Sequence, residues 1–177
     1  MMYVPKQDIC TDESLWKFKG RLRFKQYNPT KCACFGVKVY KRQSELNESL
    51  FNKGYNIYMD NWYSSRDLFQ HLQTRKTNAC GTVRTHRENM PPDLHKIKLR
   101  KGETVYLCID SGIFALKNVC MLSTTHSASM KDTKKQDEDG NAIMKPSVVV
   151  SYNEGMGGVD CSDQLATTHK FVRKFVK

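Results

Sequence analysis

The sequence predicts an α/β domain, and three neighbouring segments carry that prediction. Tyr55–Met59 is rich in aromatic and β-branched residues, the composition of a strand. Ser64 or Ser65 can cap a helix reaching about Thr74, with Leu68, Phe69 and Leu72 turned inward. Ala79–Arg84, Ala-Cys-Gly-Thr-Val-Arg, then returns as a second strand. Strand, helix, strand is the rhythm of an α/β sheet.

The remaining elements follow in order. Ile9–Leu15 starts as a short strand carrying Asp12. Lys17–Lys25 alternates basic and apolar residues, so it reads as a strand or extended loop with Phe18, Leu22 and Phe24 on one side. Asn28-Pro29-Thr30 is a turn, and Phe35–Tyr40 a strand. Ser44–Asn52 suits a short helix ended by Gly54. Pro91-Pro92 marks a loop. Glu103–Ser123 is strand-like with a turn at Asp110-Ser111-Gly112, as in a hairpin or meander. Lys131–Asn141 is polar and charged, an expected exposed turn. Pro146 suits the opening of a helix. Gly155, Gly157 and Gly158 are expected to break the chain before a helix over Val159–Phe171.

Composition narrows the partners. The chain has 177 residues, enough for one domain with a real core. Its 29 Lys and Arg outnumber 18 Asp and Glu, giving a net charge of +11. That excess favours a polyanion, either nucleic acid or an anionic membrane. No stretch is long and apolar enough to cross a bilayer, and Met1–Cys10 has no apolar signal core. Seven cysteines, an odd number without a secretion signal, point to reduced thiols inside a cell. Cys32 and Cys34 form the only close pair, and no second pair completes it, so structural zinc is not expected.

Spaced aspartates are the candidate chemistry. Phosphoryl transfer on DNA commonly uses two divalent ions, one activating the attacking oxygen and one stabilising the leaving oxygen. Magnesium takes oxygen ligands, few of them from protein. Asp12 and Asp60 fall at predicted strand ends, and Asp160 and Asp163 are spaced to share one helix face. Each aspartate alone has an ordinary reading: Asp60 as an Asx turn, Asp160 as a helix cap, Asp12 as surface charge.

The residues around them are more specific. Thr11-Asp12-Glu13-Ser14-Leu15, Phe18-Lys19-Gly20-Arg21 and Phe24-Lys25-Gln26-Tyr27-Asn28-Pro29 resemble the start of the piggyBac-type transposase domain. Phe35-Gly36-Val37-Lys38 continues the resemblance. Gly54–Ser65, which contains Met59-Asp60-Asn61-Trp62-Tyr63, is similar to that family's second-aspartate motif. Cys80-Gly81-Thr82-Val83-Arg84, Asn89-Met90-Pro91, Leu122-Ser123-Thr124 and Tyr152-Asn153 follow in family order. Gly157-Gly158-Val159-Asp160-Cys161-Ser162-Asp163-Gln164-Leu165 resembles its last acidic block.

The resemblance implies a ribonuclease-H-like catalytic fold and a cut-and-paste DNA transposase ancestry. It implies catalytic Asp12, Asp60, Asp160 and Asp163, with Asp12, Asp60 and Asp160 holding Mg2+ or Mn2+. It also implies double-stranded DNA as partner, a homodimer as candidate assembly, no membrane role, and a nuclear location. Lys17, Lys19, Arg21, Arg23, Lys25 and Arg84 are candidate phosphate contacts, with Arg87, Lys131, Lys134 and Lys135 as weaker ones. Trp62 and Tyr63 have the chemistry to stack on bases, and at least one is expected in the core.

The implied layout has a first catalytic part at 1–102, a β-rich insertion at 103–142 and a last catalytic part at 143–177. Four departures from the family pattern make that catalytic domain incomplete. After Val39-Tyr40 the chain passes almost directly through Lys41-Arg42-Gln43-Ser44 into the next helix, an apparent internal loss. Such a loss would leave the Phe35–Tyr40 strand unpaired on one side. The family's N-terminal region and its Cys-rich C-terminal domain lie outside these residues. The family's tryptophan after Ala115-Leu116-Lys117 is absent. The sequence therefore suggests a transposase-derived chain with impaired catalysis. The alternatives are a domesticated DNA-binding or interaction module without catalysis, and a transposon remnant without function.

Overall fold

A computed structural model describes residues 7–12, 14–17, 21, 23–24, 26–27, 35–39, 51–92, 96–100, 103–109, 113–116, 119–136, 138 and 140–168. For 14–17, 35–39, 109, 113–116 and 158–168 the description is of backbone alone. The expected helix over Ser44–Asn52 lies almost wholly outside these residues, as do Lys19, Lys25, Cys32 and Cys34.

The predicted strand–helix–strand unit is present. Strand β5 is Asn56–Met59, helix α1 is Arg66–Thr74 and strand β6 is Asn78–Thr82. Ser65 is the cap: its hydroxyl accepts the Leu68 amide at 3.2 Å, satisfying one of the free N–H groups of the first turn. Strand β1, Asp8–Thr11, lies parallel to β5, and β5 lies parallel to β6. Asn56 Nδ2 donates to Asp8 Oδ1 at 2.7 Å and fixes the start of that pairing.

The sheet continues on the other side of β6. Strands β7 (Tyr106–Ile109), β8 (Ile113–Leu116) and β9 (Met121–Ser123) form the expected meander. Strand β9 pairs antiparallel with β6, so the order is β1-β5-β6-β9-β8-β7.

Side-chain alternation divides the core between two faces of this sheet. Ile57, Met59, Ala79 and Leu122 cluster with Phe69 and Leu72 of α1. Tyr58, Cys80 and Met121 point the other way, toward Val148, Val149, Tyr152 and Met156 of helix α2, Ser147–Thr168. Gly81 permits a close approach on the α1 face: a Cβ there would collide with the Ser64 hydroxyl and the Met59 carbonyl.

Helix α2 corrects the sequence reading. Pro146 ends a strand and the helix begins directly after it, but Gly155, Gly157 and Gly158 do not break the chain. They lie inside one continuous helix, so they do not form a tight turn into Asp160. Gly155 has a packing role instead. A Cβ there would fall 2.5 Å from Cδ2 of the Tyr58 ring, so glycine lets α2 lie close on the sheet. Packing of this kind outweighs the low helix propensity of glycine.

Two further expectations change. Lys131–Asn141 is not a simple turn. It belongs to an exposed antiparallel hairpin of β10 (Met130–Gln136) and β11 (Ala142–Pro146), whose register shifts between Asp132 and Gln136. The Phe35–Tyr40 strand is not left unpaired. Strand β4, Phe35–Val39, is the centre of a second sheet, between β2 (Ser14–Lys17) and β3 (Gln26–Tyr27). Only residues 12 and 13 separate β1 from β2, so the chain passes from one sheet to the other at Asp12.

Candidate functional site

The parallel register brings two of the predicted aspartates together. Thr11 is level with Met59, so Asp12 and Asp60 are the next residues at the ends of adjacent strands. Met59 is level with Gly81, which puts Thr82 beside Asp60. Asp12, Asp60 and Thr82 thus form a row across β1, β5 and β6. Adjacent strands are about 4.8 Å apart, so the row places two carboxylates within reach of one cation. Alternation gives the row the same face as Cys10, Tyr58 and Cys80, the face covered by α2.

Both carboxylates are half-buried. Asp60 Oδ1 accepts the Trp62 amide at 2.9 Å, and the Asp60 carbonyl accepts the Ser64 hydroxyl at 2.9 Å and its amide at 3.2 Å. The Asx turn considered from the sequence is therefore present, and it holds Asp60 in place at the strand end.

Tyr152, on α2, completes the visible part of the site. Its hydroxyl is 3.5 Å from Thr82 Oγ1. Burial raises the Tyr152 phenol above its ordinary pKa; the Thr82 bond works in the other direction, and the charges of Asp60 and Asp12 add to the rise. One phenol feels both carboxylates, which agrees with the register. Tyr152-Asn153 and Thr82 fall within the family-like motifs of the sequence, but local pattern assigns none of them a role. The available signal was the apolar spacing of Val148, Val149, Tyr152 and Met156, which turns Tyr152 toward the sheet.

The other carboxylates are located by backbone alone. Asp160 and Asp163 fall on α2, eight and eleven residues beyond Tyr152, and their side chains lie outside the description. Among the described residues no three His, Cys, Asp or Glu side chains gather into a metal-holding group. The donor set that is described, two half-buried carboxylates side by side, suits a hard divalent cation, whose charge would relieve their repulsion.

The basic candidates are dispersed. Lys17 ends β2, while Arg21 and Arg23 are exposed outside any strand. Within Lys17–Lys25, Lys17 is the last residue of β2, Arg21 lies outside any strand, and Arg23 and Phe24 stand in a turn, while Lys19 and Lys25 lie outside the described residues. Lys131 lies 3.9 Å from Glu154 on an exposed surface, and Lys134 and Lys135 are exposed on the hairpin. Arg84 and Arg87 both contact Trp62, two residues beyond Asp60. The Arg84 guanidinium lies 5.7 Å over the Trp62 ring, and Arg87 Nη2 donates to the Trp62 carbonyl at 2.7 Å. Tyr63 packs against the core, and Trp62 stays 49% exposed, so the two aromatics divide as the sequence suggested.

Buried acids on the α2 face tie stability to alkaline pH. Burial pushes Tyr58 up to about 12, with Asp8, Cys80 and Glu154 adding to the rise. Burial also pushes Cys80 up to about 12, against a bond to Ser123. Raised folded values mean the neutral forms are stabilised. That contribution is complete below the unfolded values of 9.0 and 10.0 and is lost as pH rises toward 12. The urea midpoint should therefore fall steadily between about pH 9 and about pH 12.

The transposase IS4 family matches residues 1–47 and 43–177. The two segments overlap at 43–47, next to the place where the sequence suggests an internal loss. A solved piggyBac transposase synaptic complex with hairpin DNA, determined by cryo-electron microscopy, is similar with a TM-score of 0.67 and 25% identity. The likeness covers 93% of this chain and 41% of that one.

Proposed function

This chain belongs to the transposase IS4 family and is of piggyBac type, and on that premise we propose a transposase-derived protein whose ancestral activity is metal-dependent DNA cleavage and strand transfer, reduced in this chain. The observation that carries the reading is Asp12 beside Asp60 at the ends of two parallel strands. Three parallel strands continued on one side by an antiparallel meander, with a helix packed on each face, support the ribonuclease-H-like arrangement.

Asp12, Asp60 and Asp160 are the residues to hold Mg2+ or Mn2+, with Asp163, on the same helix as Asp160, as a further catalytic residue. Divalent ions in that position would polarise phosphate oxygens and favour attack at phosphorus. The Asp60 turn and the Tyr152–Thr82 pair keep the carboxylate row in a fixed geometry. Double-stranded DNA is the proposed partner, Arg84 its best-placed phosphate contact among the described residues, and the nucleus the location that this substrate implies.

Reduced activity is supported by the apparent loss after Val39-Tyr40, beside which the family match divides into two segments overlapping at 43–47. Metal ligands work only when placed within about half an ångström, and a shortened scaffold relaxes that placement. Duplex DNA should bind with an affinity that falls steeply as salt rises, without efficient Mg2+-dependent cleavage. Efficient cleavage that disappears in Asp60→Asn would overturn the reduced-activity claim. Absence of any DNA binding would overturn the DNA-directed reading.

A further inference from the structure

Trp62 is an exposed indole fastened beside a buried-core turn. Its own amide is bonded to Asp60 Oδ1 at 2.9 Å, so the ring stands within two residues of the carboxylate row. Arg87 holds its carbonyl at 2.7 Å, and the Arg84 guanidinium lies over its ring. The loop supplying both arginines is itself anchored. Arg66 Nη1 donates to the Asn89 carbonyl at 3.0 Å, Asn89 Nδ2 reaches both Asp67 oxygens at 3.1 and 3.0 Å, and Met90 is buried. Two loops at the carboxylate end of the sheet therefore present one fixed aromatic surface with two guanidinium groups.

Folding alone gives little reason for this arrangement. A large indole left 49% exposed forgoes much of the burial that would stabilise the domain. The same surface suits a ligand with a flat π face and a phosphate. A base inside a duplex has both faces covered by its neighbours, so an indole can stack only on a base that is terminal, unpaired or displaced.

We propose that Trp62, held by Arg84 and Arg87, is a stacking platform for an unpaired nucleobase adjoining the phosphate engaged at Asp12 and Asp60. This rests on the DNA-directed reading above and adds the preferred substrate, a DNA end with unpaired nucleotides rather than a continuous duplex.

The chain has two tryptophans, so Trp16→Phe leaves Trp62 as the only indole reporter. In that background, a duplex with a short single-stranded extension should quench the emission and bind about tenfold more tightly than the blunt duplex. Trp62→Ala should abolish the preference while leaving blunt-duplex binding in place, and Trp62→Phe should retain most of it. Equal affinity for both DNAs, or a preference that persists in Trp62→Ala, would overturn the platform while sparing the DNA-directed reading. Failure to bind either DNA would overturn both.

Discussion

Replacing Asp60 by asparagine should weaken Mn2+ binding by more than about tenfold while leaving the fold unchanged. The substitution keeps the shape of the side chain and an oxygen able to accept the Trp62 amide. The backbone carbonyl still accepts both bonds from Ser64. Only the charge is lost, so circular dichroism and the unfolding midpoint should stay close to those of the parent. An isothermal titration with Mn2+ reads the difference. Unchanged affinity would mean that Asp60 serves the turn and not a cation.

Phe69→Ala should cost about 3–5 kcal/mol, the range for deleting a fully buried aromatic ring. Phe69 is 0% exposed and clusters with Ile57, Met59, Leu72, Ala79 and Leu122. It is the largest fully buried side chain among the described residues, and it fastens α1 to the sheet. Native domains are stable by only about 5–15 kcal/mol, so this one change removes a large share. Chemical denaturation would show it as a lowered midpoint. Because β5 leads directly into Asp60, partial unfolding here should also weaken Mn2+ binding. A midpoint shift under about 1 kcal/mol would show that the ring's packing is replaceable.

Where local pattern and tertiary need agreed, the sequence was a good guide. The aromatic and β-branched run of β5, the Ser65 cap and the inward Leu68, Phe69 and Leu72 all point to the unit that was found. Where they conflicted, tertiary packing prevailed. Gly155 reads as a helix breaker, but the Tyr58 ring leaves no room for a Cβ and the helix continues through it. The β10–β11 hairpin carries almost no apolar alternation, because it is exposed and its register comes from backbone pairing. The site was only half legible. Motifs named Asp12 and Asp60, but their adjacency depends on β1 pairing with β5 across 48 residues, which no local pattern encodes. Tyr152 and Thr82 gained a role only when α2 was packed on the sheet. The anchoring of Trp62 by Arg84 and Arg87 likewise depends on two loops separated in sequence.

The central claim is that Asp12 and Asp60 act as one cation site. Mn2+ titrations of the parent, Asp12→Asn, Asp60→Asn and the double variant test it most directly. If the two carboxylates share an ion, either single change removes most of the affinity and the double variant is little worse than each. Additive losses, or full affinity in either single variant, would contradict it.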